Sequence, residues 1–132
     1  MPDDWEPVVP FDRCFDAQYG LEVVAHEEGR VAGRVRVRDA VLGRGGVVGS
    51  GVYAAAAEAL ASRGTALGVI PEGHAAMGLS NDTTVCEAVA AGTLHAEARL
   101  VARAEGAWVW AVETTDDDGR VCAFSRVTVA VR

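Results

Sequence analysis

Residues 46–62 read GVVGSGVYAAAAEALAS, a run of small and apolar side chains that holds one carboxylate, Glu58. Alanine gives up no side-chain freedom on entering a helix, so the run predicts a helix from about Ser50 to Arg63, with Gly64 as its stop. A helix that is apolar on nearly every face is one that is covered on nearly every side. Glu58 is then the exception, because burying an unpaired carboxylate disfavours its charged form and pushes its pKa upward. The plainer reading is a glutamate on the helix surface, facing water.

The segments around this helix alternate with period two, the signature of strands with one wet face. In GRVAGRVRVRD (29–39), Val31, Gly33, Val35 and Val37 share one face and Arg34, Arg36 and Arg38 the other. In TLHAEARLVARA (93–104), Leu94, Ala96, Ala98, Leu100, Ala102 and Ala104 face inward, and His95, Glu97, Arg99 and Arg103 outward. AWVWAVET (107–114) aligns Trp108, Trp110 and Val112, and TDDDGR (115–120) is an Asp/Gly turn into RVCAFSRVTVAV (120–131). Such short links imply antiparallel pairing. The layout is a strand pair, one helix and a four-strand meander: an α+β fold in which a curved antiparallel sheet of five to six strands wraps round one long helix. With 132 residues, half of them hydrophobic, the chain suits a single domain over 1–132, and the proline- and acid-rich residues 1–12 read as an irregular lead-in.

Composition narrows the function. A net charge of −7 with no lysine argues against nucleic acid and anionic membrane as partners, both of which want clustered basic side chains. No stretch approaches the length of a membrane span, and the acidic N-terminus differs from a secretory leader, so a cytoplasmic location is expected. Cys14, Cys86 and Cys122 are odd in number and lack ligand spacing, which fits free thiols in a reducing compartment and no metal site. GSGVYA (49–54) has the form of a dinucleotide fingerprint, but strands joined by tight turns build no parallel sheet for it. His26, His74 and His95 sit on separate segments and read as surface residues; Trp108 and Trp110 read as sheet packing.

Spacing gives Glu58 a chemical context. Ser62 lies one turn further along the same face, where hydroxyl and carboxylate can touch one bound molecule. The helix start near Ser50 offers free backbone N–H groups and the positive end of the helix dipole to a developing oxyanion. Glu58 lies about two turns in, so an acyl carbonyl held at the Ser50 amide approaches the acid where a loop or neighbouring subunit closes the site. Acyl transfer to water is the chemistry these parts allow.

GVVGSGVYAAAAEALAS, MGLSNDTT (77–84), AGTLHAEARLVA (91–102) and WVWAVETTDDDGRVCAFSRVTVAVR (108–132) together resemble the hotdog-fold acyl-CoA thioesterases of the phenylacetate-degradation type. Within these they are most similar to the branch of the 4-hydroxybenzoyl-CoA and 1,4-dihydroxy-2-naphthoyl-CoA hydrolases. The resemblance runs from about Phe11 to the C-terminus. It implies that Glu58 is the nucleophile or general base, that Ser62 positions water or substrate, and that the Ser50 amide forms the oxyanion hole. It further implies that Gly49 and Gly51 flank the thioester, and that Asn81, Thr83 and Thr84 line the acyl pocket. No cofactor is implied beyond the coenzyme A of the substrate. A homodimer, assembled as a dimer of dimers, is implied as well, since a lone subunit leaves a sheet edge unpaired and its acyl channel half built.

The departures from that family are specific. Its HGG reads GSG here, so the histidine position is Gly49, and the glutamine six residues earlier is Gly43. A family arginine suited to a CoA phosphate is replaced by Glu87, and the chain ends at Arg132 without a basic tail. Two functions follow from this reading: hydrolysis of an acyl-CoA, aryl-CoA included, and an alternative in which a non-catalytic hotdog protein binds acyl-CoA without turnover. The identity of the acyl group is not written in these residues.

Overall fold

The computed structural model describes residues 8–132. Part of the lead-in thus lies outside the described residues. Its end is not irregular, since Phe11–Arg13 form a 3-10 turn; beyond it, Phe15–Gln18 form a single-turn helix, α1. The strands are β1 (Leu21–Glu27), β2 (Arg30–Arg36), β3 (Ala76–Val85), β4 (Thr93–Arg103), β5 (Ala107–Thr115) and β6 (Val121–Val131). The long helix, α2 (Ser50–Val69), runs between β2 and β3 in sequence. All pairings are antiparallel, in the order β1-β2-β4-β5-β6-β3.

The four later strands are not a simple meander: β4, β5 and β6 are, but β3 pairs with β6 at the far edge. Residues 86–92 carry the chain back across the end of the sheet, held by Cys86 N–H to the Cys122 carbonyl (2.6 Å), by the Val89 carbonyl accepting from Val48 N–H (2.8 Å), and by the Gly92 carbonyl accepting from Val37 N–H (2.8 Å). In β4 the alternation holds through Ala98 but fails beyond a bulge between Leu100 and Ala102, which leaves Ala102 and Ala104 exposed.

Gly64, expected as the stop, does not end the helix, which runs on to Val69. Tyr53, Ala56, Ala57, Leu60, Ala61, Thr65 and Val69 are buried at intervals of three and four residues, and Gly64 and Gly68 continue that line. A Cβ on Gly64 would lie 2.7 Å from Trp110 Cζ2, and one on Gly68 3.0 Å from Trp108 Cζ3. Both glycines are therefore places where an indole meets helix backbone, and the packing outweighs the roughly 1 kcal/mol that glycine costs inside a helix. Trp110 Nε1 donates to Thr65 Oγ1 (2.9 Å), whose hydroxyl donates to the Ala61 carbonyl (2.9 Å). A 3-10 turn, Ile70–Glu72, and Gly73 at φ +84° close the helix instead. The sheet thus covers one side of α2, against Val31, Val35, Leu94, Val112, Val127 and Val129, and leaves Ser50, Gly51, Glu58 and Arg63 exposed.

Candidate active site

The helix start is fixed from three directions. Val41 accepts the Gly49 N–H (3.0 Å), Leu42 bridges to Val48, and the intervening glycine loop closes through Gly43 N–H to the Val47 carbonyl (2.7 Å). Gly49 is the residue that caps α2, with its carbonyl accepting from Val52 N–H at 3.0 Å. Ser50 is the first helical residue and contributes no side-chain cap. The Ser50 and Gly51 amides lie in the first turn, where no carbonyl of the same helix can receive them. They form a cluster of exposed donors at the positive end of a 20-residue helix.

Glu58 lies on the rim of the buried stripe rather than inside it. Its side chain is exposed in the single chain, and its carboxyl end rests on Gly78 of β3, where a Cβ would come within 3.0 Å of Cδ and 3.1 Å of Cγ. Enough of the group is shielded for burial to raise its pKa above the usual carboxylate value, with the nearby negative charge of Asp16 adding to the rise. Asp16, on α1, accepts the Tyr19 hydroxyl at 2.7 Å. Burial, then that hydrogen bond, raises Tyr19 as well. Gly78, Asp16 and Tyr19 were not singled out in sequence: nothing in local spacing joins a glycine on a later strand, or an acid ahead of β1, to Glu58.

The other expected residues divide. Ser62 Oγ is shielded from solvent and has no hydrogen-bond partner among the described residues, so it does not bond to Glu58. Asn81 Nδ2 donates to the Ala54 carbonyl (2.8 Å), one turn before Glu58. Thr83 bonds to Asn81 Oδ1 (2.8 Å) and to Ser125 Oγ (2.7 Å). Thr84, the next residue along the strand, faces the other side of the sheet. At Gly49 a Cβ would meet nothing closer than the Val41 carbonyl at 3.9 Å, and at Gly43 nothing closer than the Val47 carbonyl at 3.6 Å. The side chains found there in the resembling family are absent by sequence and not for want of room.

Along the axis, Ser50 and Glu58 are about 12 Å apart. A groove of about 430 Å³ lies elsewhere, between the β1–β2 turn and the second half of α2, and is lined by His26, Glu27, Gly68, Arg103 and Trp108. It contains neither Glu58 nor Ser50. His95 is engaged by Asp117 (2.8 Å). Among the described residues, no group of three His, Cys, Asp or Glu side chains is placed to hold a metal, and no helix is long and apolar enough to cross a membrane.

No family model matches the chain. A Deinococcus radiodurans protein named "Putative esterase" is 33% identical over 115 residues, covering 87% of this chain and 72% of the relative. A Mycobacterium tuberculosis protein named "Putative esterase Rv1847" is 30% identical over 115 residues, covering 86% of this chain and 82% of the relative. Its solved structure superposes with a TM-score of 0.84 at 29% identity, over 88% of this chain and 94% of that one. The 1,4-dihydroxy-2-naphthoyl-CoA hydrolase of Listeria monocytogenes is 28% identical over 113 residues, 86% of this chain and 91% of that enzyme.

Proposed function

We propose, on the premise that the chain belongs to the hotdog-fold thioesterase family, that it hydrolyses an acyl-CoA thioester with Glu58 as the reacting carboxylate. The observation that carries this reading is the seating of Glu58 on Gly78: a carboxylate of raised pKa held at the rim of the fold's one long helix. Glu58 either takes a proton from water as water attacks the carbonyl carbon, or attacks that carbon itself and is freed by water in a second step. In both routes the C–S bond breaks and the sulfur leaves as the CoA thiolate, which takes up a proton. The Ser50 and Gly51 amides receive the oxyanion. Ser62 orients water or substrate, and Gly49 lies along the path of the substrate. The likeness to the Listeria hydrolase favours an aryl group as the acyl part.

The separation of Ser50 from Glu58 supports a site shared between two copies. β3 is an edge strand on which Met77 (63% exposed) and Leu79 (62% exposed), on either side of Gly78 in sequence, stand open. A second copy pairing at that edge covers both side chains and brings its own helix start toward Glu58. A homodimer, with dimers pairing further, is the expected assembly, and light scattering that finds a monomer at micromolar concentration would contradict it. The three unpaired cysteines suit a reducing cytoplasm, where acyl-CoA is found.

Glu58→Gln tests the reaction. It keeps shape and removes the charge, so turnover falls by a factor on the order of a hundred or more while acyl-CoA affinity changes little. An unchanged rate sinks the hydrolase reading. The bare Gly43 and Gly49 positions favour one second reading, a protein that binds acyl-CoA without turning it over; tight binding with no wild-type turnover would establish it.

A further inference from the structure

The spacing of β3 against α2 is set by a bulge. Pairing with β6 shifts register between Gly78 and Ser80, so Leu79 is an extra residue in the strand. In an unbroken strand Gly78 and Asn81 would face opposite sides; the bulge puts both toward the helix. Three residues then span two strand steps, about 6.6 Å, close to the roughly 6 Å between Ala54 and Glu58 on α2. Gly78 meets Glu58, and Asn81 meets Ala54.

The bond at Ala54 bears directly on Glu58, because the Ala54 carbonyl is the one that receives the Glu58 N–H in an α-helix. Proton directions along the attached chain are fixed by what each group can do. A carbonyl only accepts, so Asn81 presents its NH₂ to Ala54 and its oxygen to Thr83. Thr83 gives its one hydroxyl proton to Asn81 Oδ1, so the buried Ser125 donates to Thr83. The line Ser125–Thr83–Asn81–Ala54 therefore ties the turn that carries Glu58 to two strands.

We infer that Asn81 is a positioning residue for Glu58: its amide, locked by Thr83 and Ser125, fixes the Glu58 turn of α2 against the bulged strand so that the carboxylate stays seated on Gly78. This rests on the reading of Glu58 as the reacting group, and it replaces the expectation that Asn81 lines the acyl pocket. Asn81 is exposed, so its truncation leaves the core intact.

The test compares Asn81→Ala and Thr83→Val with Glu58→Gln, using aryl and fatty acyl-CoA substrates. A displacement of order 1 Å at a reacting group lowers rates by up to about a hundredfold, so Asn81→Ala is expected to lower kcat about tenfold, with KM nearly unchanged and the same ratio for every acyl group. Thr83→Val, which only unlocks the amide, gives a smaller loss of the same kind. Placed in the Glu58→Gln background, Asn81→Ala costs nothing further. A rise in KM that varies with the acyl group would overturn the inference and make Asn81 a substrate contact, even with Glu58→Gln inactive. A second readout does not depend on turnover: the Glu58 carboxyl, followed by carbon NMR, is expected to titrate nearer the ordinary glutamate value in Asn81→Ala. If Glu58→Gln keeps full activity the hydrolytic reading fails, and this titration alone then decides whether Asn81 positions the side chain. An unmoved titration refutes the positioning role in either case.

Discussion

Gly78→Ala separates activity from stability at one methyl group. The three atoms nearest to a Cβ at this position all belong to Glu58: Cδ at 3.0 Å, Cγ at 3.1 Å and Oε1 closer still. Gly78 does not have the left-handed backbone that would exclude alanine. The contact is with the far end of a flexible side chain open to solvent, so Glu58 swings away by about 1 Å and little else moves. A displacement of that size at a reacting carboxylate lowers turnover by tenfold to about a hundredfold, or about 1.4–2.7 kcal/mol in the barrier. The cost to folding stays under about 1 kcal/mol, because alanine also restricts the unfolded chain. Gly64→Ala is the matched control: its Cβ would lie 2.7 Å from Trp110 Cζ2 and 3.0 Å from Val31 Cγ2, both fully buried. Overpacking of that kind costs about 1–3 kcal/mol and lowers Tm by several degrees. Thiol release from acyl-CoA and thermal unfolding, measured on both variants, give the comparison. Gly78→Ala with wild-type kcat, or with the stability loss of Gly64→Ala, would show that Glu58 is not held where the reaction needs it.

Acidity gives a further test. Burial and then Asp16 raise Glu58 above its ordinary value of 4.5, so between that value and the native pKa the folded chain binds more protons than the unfolded one. Stability is expected to fall, and hydrolysis to rise, as pH climbs through the native pKa. Chemical denaturation across that range should show the slope in the wild type and lose it in Glu58→Gln. Trp110→Phe removes the indole N–H from Thr65 in a fully buried site and is expected to cost about 1–3 kcal/mol; an unchanged unfolding midpoint would count against that bond as a core contact.

Local pattern was enough for the strands, the helix and the chemical candidates. Period two marked the inward valines of β2 and the Trp108–Trp110–Val112 line of β5, because a half-buried strand writes its two environments alternately into the chain. The alanine run marked α2, and one carboxylate in it marked Glu58, because such a residue is rare in so apolar a helix. What local pattern misjudged depended on groups distant in sequence. Gly64 reads as a stop by propensity, yet the helix runs through it because Trp110, 46 residues away in numbering, needs that space. The inward set of β4 ended at a bulge, and a bulge exists only relative to the partner strand. β3 went to the sheet edge beside β6, which brought Gly78 under Glu58 and Asn81 to Ala54. The sequence by itself determined which residues are the chemical candidates, since side-chain type and helical spacing are local. Only the tertiary structure decided how the carboxylate is held and how far it is shielded, since seating and desolvation are sums over neighbours that the chain brings together on folding.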